Sequence, residues 1–94
     1  MARIHLIHWH PGEAEARAAR LRAAGHSVDA STFDRALLRA LAEEPPEAVA
    51  IDLGRLPSQG RDVGLNLRRQ AGTRHVALVF VGGCLLYTSD AADE

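Results

Sequence analysis

A chain of 94 residues, 47% apolar and 24% charged, specifies one small globular domain with a thin core. It has neither an apolar run of about eighteen residues nor a signal-peptide pattern, which predicts a cytoplasmic protein without a membrane partner. The formal net charge of -1, without a basic block, disfavours nucleic acid as a partner of this segment.

The first third of the chain predicts a strand, a helix and a second strand. Residues 3–7 (RIHLI) form a short apolar run, and Pro11 then opens an alanine-rich segment that Gly25 ends. Apolar residues recur in that segment at helical spacing. They are Ala14, Ala18, Leu21 and Ala24. Residues 26–30 (HSVDA) predict the second strand.

The middle of the chain predicts a second helix and a buried strand. Ser31 or Thr32 is expected to cap a helix through residues 33–44, which Pro45-Pro46 ends. Its apolar residues form one stripe. They are Phe33, Leu37, Leu38 and Leu41. Residues 48–53 (AVAIDL) are apolar except for Asp52 and indicate a strand buried on both faces.

A Gly/Pro loop at 54–60 precedes a predicted helix from about Arg61 to Gln70 and a fourth strand at 76–81. Val63 and Leu67 are expected to face inward, with Leu65 as a further candidate. The order βαβαβαβ predicts an α/β fold: an open parallel sheet of four strands, with three helices distributed over both faces.

The last eleven residues, CLLYTSDAADE, contain the single Cys and the single Tyr of the chain. Their back-translation resembles read-through into the adaptor of transposase-based sequencing libraries. We therefore expect 1–83 to be one domain, truncated after Gly83, and 84–94 to be a non-native tail. The alternative is a natural disordered terminus.

Ligands of open parallel sheets gather at the carboxyl ends of the central strands. Two segments of this chain are expected at that edge. One is RIHLIHWHPGE (3–13), in which His8, Trp9 and His10 follow the strand, and the other is AVAIDLGRLPSQGRDV (48–63), which contains Asp52. The span 3–83 resembles the receiver domain of two-component response regulators, a flavodoxin-like (CheY-like) fold. RIHLIHWHPGE lies over that family's first strand with its acidic pair, and Asp52 over its phospho-acceptor aspartate.

The resemblance implies a degenerate site. In the family, two carboxylates after the first strand join the acceptor aspartate in holding Mg²⁺. His8 and Trp9 occupy the positions of those carboxylates, and neither replaces them. Gly82 and Gly83 stand where a hydroxyl residue ends the fourth strand. Pro57 follows Asp52 by five positions, where the family has four, whereas Gly60 keeps the family's spacing of eight.

The residue types suggest an ordinary structural role for each of these side chains. Asp52 is expected to be a partly solvated carboxylate bonded to loop amides. Trp9 is expected to be an aromatic plug that fills the vacated pocket, with stacking on a ligand as the alternative. Strand geometry is expected to end near His8, with one or both of His8 and His10 at the surface. With Asp52 the two histidines also match a 2-His-1-carboxylate metal set.

The leading hypothesis is a degenerate receiver-like domain, without cofactor or enzymatic activity, that binds proteins independently of phosphorylation. Its partner is expected to be a signalling protein or an output domain lost by truncation. Two alternatives stay open. One is a metal-dependent sensor or catalytic domain using His8, His10 and Asp52; the other is a receiver still weakly phosphorylated at Asp52.

Overall fold

The computed structural model of the chain describes residues 2–54 and 57–82. In these ranges, strands and helices alternate along the chain. The elements are β1 (Arg3–Ile7), α1 (Pro11–Ala23), β2 (Ser27–Ser31), α2 (Arg35–Glu43), β3 (Ala48–Asp52), α3 (Pro57–Arg69) and β4 (Ala77–Val81). The expected order is therefore confirmed.

The four strands form one parallel sheet in the order β2-β1-β3-β4. Helix α1 packs on one face of the sheet through a cluster of small and aliphatic side chains, Leu6, Ala14, Ala18, Val28 and Ala50. Helices α2 and α3 cover the other face through a larger cluster, Ile7, Leu41, Val49, Ile51, Val63, Leu67 and Val76. The expectation of helices on both faces is confirmed.

Helix α2 begins at a different residue from the one expected. Asp34 is its N-cap, and the Asp34 carboxylate accepts a hydrogen bond from the Leu37 amide at 2.8 Å. The prediction of Ser31 or Thr32 as the cap is wrong because Ser31 ends β2, where its hydroxyl bonds the His5 ring at 2.8 Å.

Helix α3 begins at Pro57, four residues before the predicted start, so part of the expected loop is helical. Proline suits a first helical position, where its missing N–H has no partner to lose. Gly64 is required because a Cβ there would lie 2.9 Å from Cζ of Phe80 on β4. Val63 and Leu67 face inward as predicted, whereas Leu65 is 48% exposed.

Several expectations concern residues that the structure does not describe. Gly83, residues 84–94 and residues 55–56 of the expected loop lie outside the described ranges. The division of the chain into 1–83 and a non-native tail therefore stays a prediction. Within the described ranges, no helix combines the length and the apolar character needed to cross a membrane.

Candidate functional site

The carboxyl ends of β1 and β3 lie side by side in the middle of the sheet. Ile7 and Ile51 are paired across the two strands, and His8 and Asp52 each follow directly after that pair. Side chains alternate along a strand, and Leu6 and Ala50 pack in the α1 cluster. His8 and Asp52 therefore belong to the α1 face of the sheet.

Asp52 is buried, with 1% of its surface exposed. Its Oδ1 accepts a hydrogen bond from the Gly54 amide at 2.7 Å, as the expected bond to a loop amide requires. Its Oδ2 is buried and has no hydrogen-bond partner within the described ranges. The expectation of partial solvation is wrong, because Arg17, Gly54 and Gly82 surround Asp52 Oδ1 and Oδ2 is itself buried.

Arg17 of α1 supplies the positive charge that faces Asp52. Its Nη2 lies 3.8 Å from Asp52 Oδ1, an ion pair whose guanidinium side chain is 34% exposed. The sequence interpretation did not assign Arg17 to the site. A signal was present, since Arg17 lies in register with Ala14, Ala18 and Leu21, on the face of α1 that packs against the sheet.

Gly82 closes the site from the end of β4. Its backbone has φ +79°, a region that favours glycine. A Cβ at Gly82 would lie 3.2 Å from each of three atoms: Arg17 Nη2, Asp52 Oδ1 and the Gly54 amide nitrogen. The position expected from the sequence is thus next to Asp52, and even a methyl group would be crowded there. Gly83, the other half of the expected switch position, lies outside the described residues.

The two histidines that follow β1 have different environments. His8 is buried, with 7% exposed, and its backbone amide donates to the Ser31 carbonyl at 3.1 Å. Its Nδ1 is also buried, without a partner in the described part of the chain. His10 is the N-cap of α1, and its Nδ1 accepts a hydrogen bond from the Glu13 amide at 3.2 Å. His8 is therefore not a surface residue, whereas His10 is half-buried.

The residues around Asp52 do not fit the Mg²⁺ that the receiver fold implies. Mg²⁺ requires near-octahedral oxygen ligation, usually from carboxylates. Here Asp52 faces a guanidinium cation, and an imidazole follows β1 instead of a carboxylate. Residues 2–54 and 57–82 also contain no group of three or more His, Cys, Asp or Glu side chains that could hold a metal ion. The alternative set of His8, His10 and Asp52 thus lacks structural support.

Trp9 packs on the opposite face of the sheet from Asp52. It is half-buried against the α2–α3 cluster, together with Phe33 from the segment before α2. The two rings border a cavity of ≈ 350 Å³ that extends to α3 and does not include Asp52. Trp9 is therefore an aromatic residue that packs on the core, as expected, but it does not fill the space beside Asp52.

His5 makes the stability of this part of the sheet dependent on pH. Burial lowers the pKa of His5 below 6.5, the neighbouring His8 lowers it further, and Asp29 partly opposes both effects. An unfolded chain binds this proton more tightly than the native one. Stability is therefore complete above about pH 6.5 and decreases as the pH falls from there towards the lower native pKa.

We expect the free energy of unfolding in urea to be smaller at about pH 5.5 than at about pH 7.5. One proton contributes at most about 1.4 kcal/mol per pH unit to that difference. The variant His5→Gln keeps a hydrogen-bonding group for Ser31 and should reduce the difference. A variant with the same pH dependence as the unaltered chain would show that His5 is not the group responsible.

The described residues have the flavodoxin-like fold that receiver domains share, with four parallel strands in the order β2-β1-β3-β4. A solved structure with the same fold is the crystal structure of the N-terminal domain of a response regulator receiver protein from Methanoculleus marisnigri JR1. The TM-score is 0.80 at 18% sequence identity, and the match covers 99% of this chain and 76% of that one.

No protein-family model matches this sequence. No curated protein matches it either. The similarity therefore concerns the fold, and the role of the domain has to be argued from its own residues.

Proposed function

We propose that this chain is a degenerate receiver, a pseudo-receiver, that acts in cytoplasmic two-component signal transduction as a phosphorylation-independent protein–protein interaction module. The receiver-like fold supports a role in signalling, because receivers transmit signals through their helix and loop surfaces. The partner is a signalling protein or an output domain beyond the present sequence. The proposal includes no enzymatic activity, no cofactor and no nucleic-acid contact by this segment.

The observation that carries the proposal is the Arg17–Asp52 ion pair. Phosphoryl transfer depends almost entirely on positioning and on neutralising the charge of the transferred group. Asp52 Oδ1 is already bonded to the Gly54 amide and faces Arg17, and Oδ2 is buried. A phosphoryl group is larger than the methyl group that would already be crowded at Gly82. Phosphorylation would therefore require Arg17 and the end of β4 to move.

A fixed ion pair also changes what the domain can do as a switch. An ordinary receiver has two states, and the phosphoryl charge shifts the balance between them. In this chain the guanidinium of Arg17 supplies the counter-charge permanently, so one conformation is favoured. A domain held in one conformation can still present its helix and loop surfaces to a partner.

The experiment offers the intact chain Mg²⁺ with acetyl phosphate, and separately with beryllofluoride, which imitates an acyl phosphate. We expect no phosphoryl mass on the protein and no change in the fluorescence of Trp9, the single tryptophan. A receiver with an intact acidic pocket, treated in parallel, shows that both reagents are active. The variant Asp52→Asn controls for reaction at other residues.

Weak phosphorylation at Asp52 is the second candidate function, because Asp52 ends β3 at the acceptor position and its Oδ2 has no partner in the described ranges. The same experiment separates the two. Phosphoryl mass that appears on the unaltered chain and disappears in Asp52→Asn would establish the second candidate and overturn the first.

A further inference from the structure

The cavity beside Trp9 is distinct from the Asp52 site and has a different chemical character. Its volume is ≈ 350 Å³, within the range of small binding pockets. Three segments form it: the residues after β1, the residues before α2, and α3. The lining residues are Trp9, Phe33, Gln59, Asp62, Val63 and Asn66.

The lining combines aromatic rings with acidic and amide groups. Trp9 and Phe33 are both half-buried and contribute the apolar part of the wall. Gln59, Asp62 and Asn66 recur at spacings of three and four, so they share one exposed face of α3. The polar side of the cavity therefore carries one carboxylate and two amides, and none of the described lining residues is basic.

Asp62 is available to a ligand. It is exposed, and it makes no hydrogen bond or ion pair with any residue of the described ranges. A carboxylate beside an indole ring attracts cations, because the ring face adds a cation–π interaction to the ionic one. Phosphate-bearing ligands are disfavoured at the same position, since Asp62 repels them.

We propose that this cavity binds the side chain of an arginine presented by a partner protein. A guanidinium is planar and weakly hydrated, so it stacks on aromatic rings more readily than an ammonium group does. Its donors can reach the Asp62 carboxylate in a bidentate pair and the amide oxygens of Gln59 and Asn66. The inference rests on the proposed function and gives the interaction module a specific docking chemistry.

The proposal is tested with the capped tripeptide acetyl-Gly-Arg-Gly-amide, titrated into the intact chain while Trp9 fluorescence is recorded. We expect a saturable change with a Kd in the millimolar range, because one exposed ion pair and one cation–π contact are individually weak. The citrulline peptide, which has nearly the same shape without the charge, should bind roughly three- to tenfold more weakly.

Two variants assign the effect to Asp62. Asp62→Asn should weaken arginine-peptide binding by roughly three- to tenfold and leave the urea midpoint unchanged, since Asp62 is exposed. Glu43→Gln is the matched control, because Glu43 is an exposed acid outside the cavity. It should bind the peptide as the unaltered chain does.

Three results would overturn the inference. The first is equal binding of the arginine and citrulline peptides, and the second is full binding of the arginine peptide by Asp62→Asn. The third is self-association in sedimentation that the arginine peptide does not reverse, because it would assign the cavity to a second copy of the chain. None of them bears on Asp52. Conversely, phosphorylation of Asp52 with arginine binding intact would overturn the proposed function alone.

Discussion

Replacing Arg17 with methionine is expected to lower the free energy of unfolding by about 1–2 kcal/mol. Methionine keeps much of the aliphatic length but leaves the Asp52 carboxylate buried without its counter-charge. Breaking a fully buried ion pair costs about 3–5 kcal/mol. We expect less here because Arg17 is 34% exposed and 3.8 Å from the carboxylate, so solvent screens part of the attraction.

The double variant Arg17→Met/Asp52→Asn separates the ion pair from the packing of the arginine chain. Asparagine at position 52 can still accept the Gly54 amide hydrogen bond but carries no charge. Replacing Arg17 should therefore lower the free energy of unfolding less in the Asp52→Asn background than in the unaltered chain. A double-mutant cycle from urea unfolding should give a favourable coupling of about 1 kcal/mol or more.

Arg20→Met is the matched control for this cycle, since Arg20 is an exposed arginine one turn further along α1. It should change stability by less than about 0.5 kcal/mol. If Arg17→Met and Arg20→Met were equally mild, or if the cycle showed no coupling, the ion pair would not stabilise the fold. The main argument for a single fixed conformation would then be lost.

The positions of β3 and β4 along the chain were predictable because both are nearly continuous apolar runs between breaks in the pattern, and β1 has few polar breaks. The expected range 3–7 coincides with β1, and 48–53 exceeds β3 by one residue. Helix starts were less predictable, since they depend on contacts between distant segments. Gly60 suggested a loop, yet it lies in α3, where a Cβ at its position would crowd the Leu53 side chain and the Asp52 carbonyl.

Of the two charged residues of the candidate site, Asp52 was predictable from the sequence and Arg17 was not. Asp52 is the one charged residue in a buried apolar run, so its position at a strand end is visible in the sequence. Arg17 belongs to an amphipathic helix, where arginine is ordinarily solvent-facing. Its role is visible only in the structure, where its guanidinium lies 3.8 Å from Asp52 Oδ1.

The burial of Asp52 depends on the same packing. Ala14 and Ala18 of α1 are buried against the sheet, and Arg17 on the same side of the helix reaches Asp52 Oδ1. Sequence patterns record which residues are apolar, but they do not record how near two elements come. The degree of solvation of Asp52 therefore could not be read from its neighbours along the chain.

A second large effect is expected at Gly82, where alanine should lower the free energy of unfolding by about 2–3 kcal/mol. The φ of +79° disfavours any side chain, and the added methyl would lie 3.2 Å from Arg17 Nη2, Asp52 Oδ1 and the Gly54 nitrogen. Gly25→Ala is the matched control because Gly25 has φ +102° and no atom within 4 Å of its Cβ position.

Urea unfolding of the two glycine variants separates two contributions to the loss of stability: backbone strain, which both variants share, and steric crowding, which only Gly82→Ala has. Gly25→Ala should cost about 1–2 kcal/mol, from strain alone. Gly82→Ala should cost at least about 1 kcal/mol more, from displacing Arg17 or Asp52. Equal losses would mean that the end of β4 yields easily and that the Asp52 site is not tightly closed.

The variant Gly82→Thr tests whether a hydroxyl at position 82 makes the domain respond to a phosphate analogue. We expect it to be less stable than Gly82→Ala, because a β-branched residue tolerates positive φ poorly. We also expect no response to beryllofluoride with Mg²⁺, since the carboxylates after β1 are still missing and Arg17 still faces Asp52. A stable Gly82→Thr protein whose Trp9 fluorescence responds to beryllofluoride would show that the Arg17–Asp52 ion pair does not prevent a response at Asp52, and would contradict the proposed function.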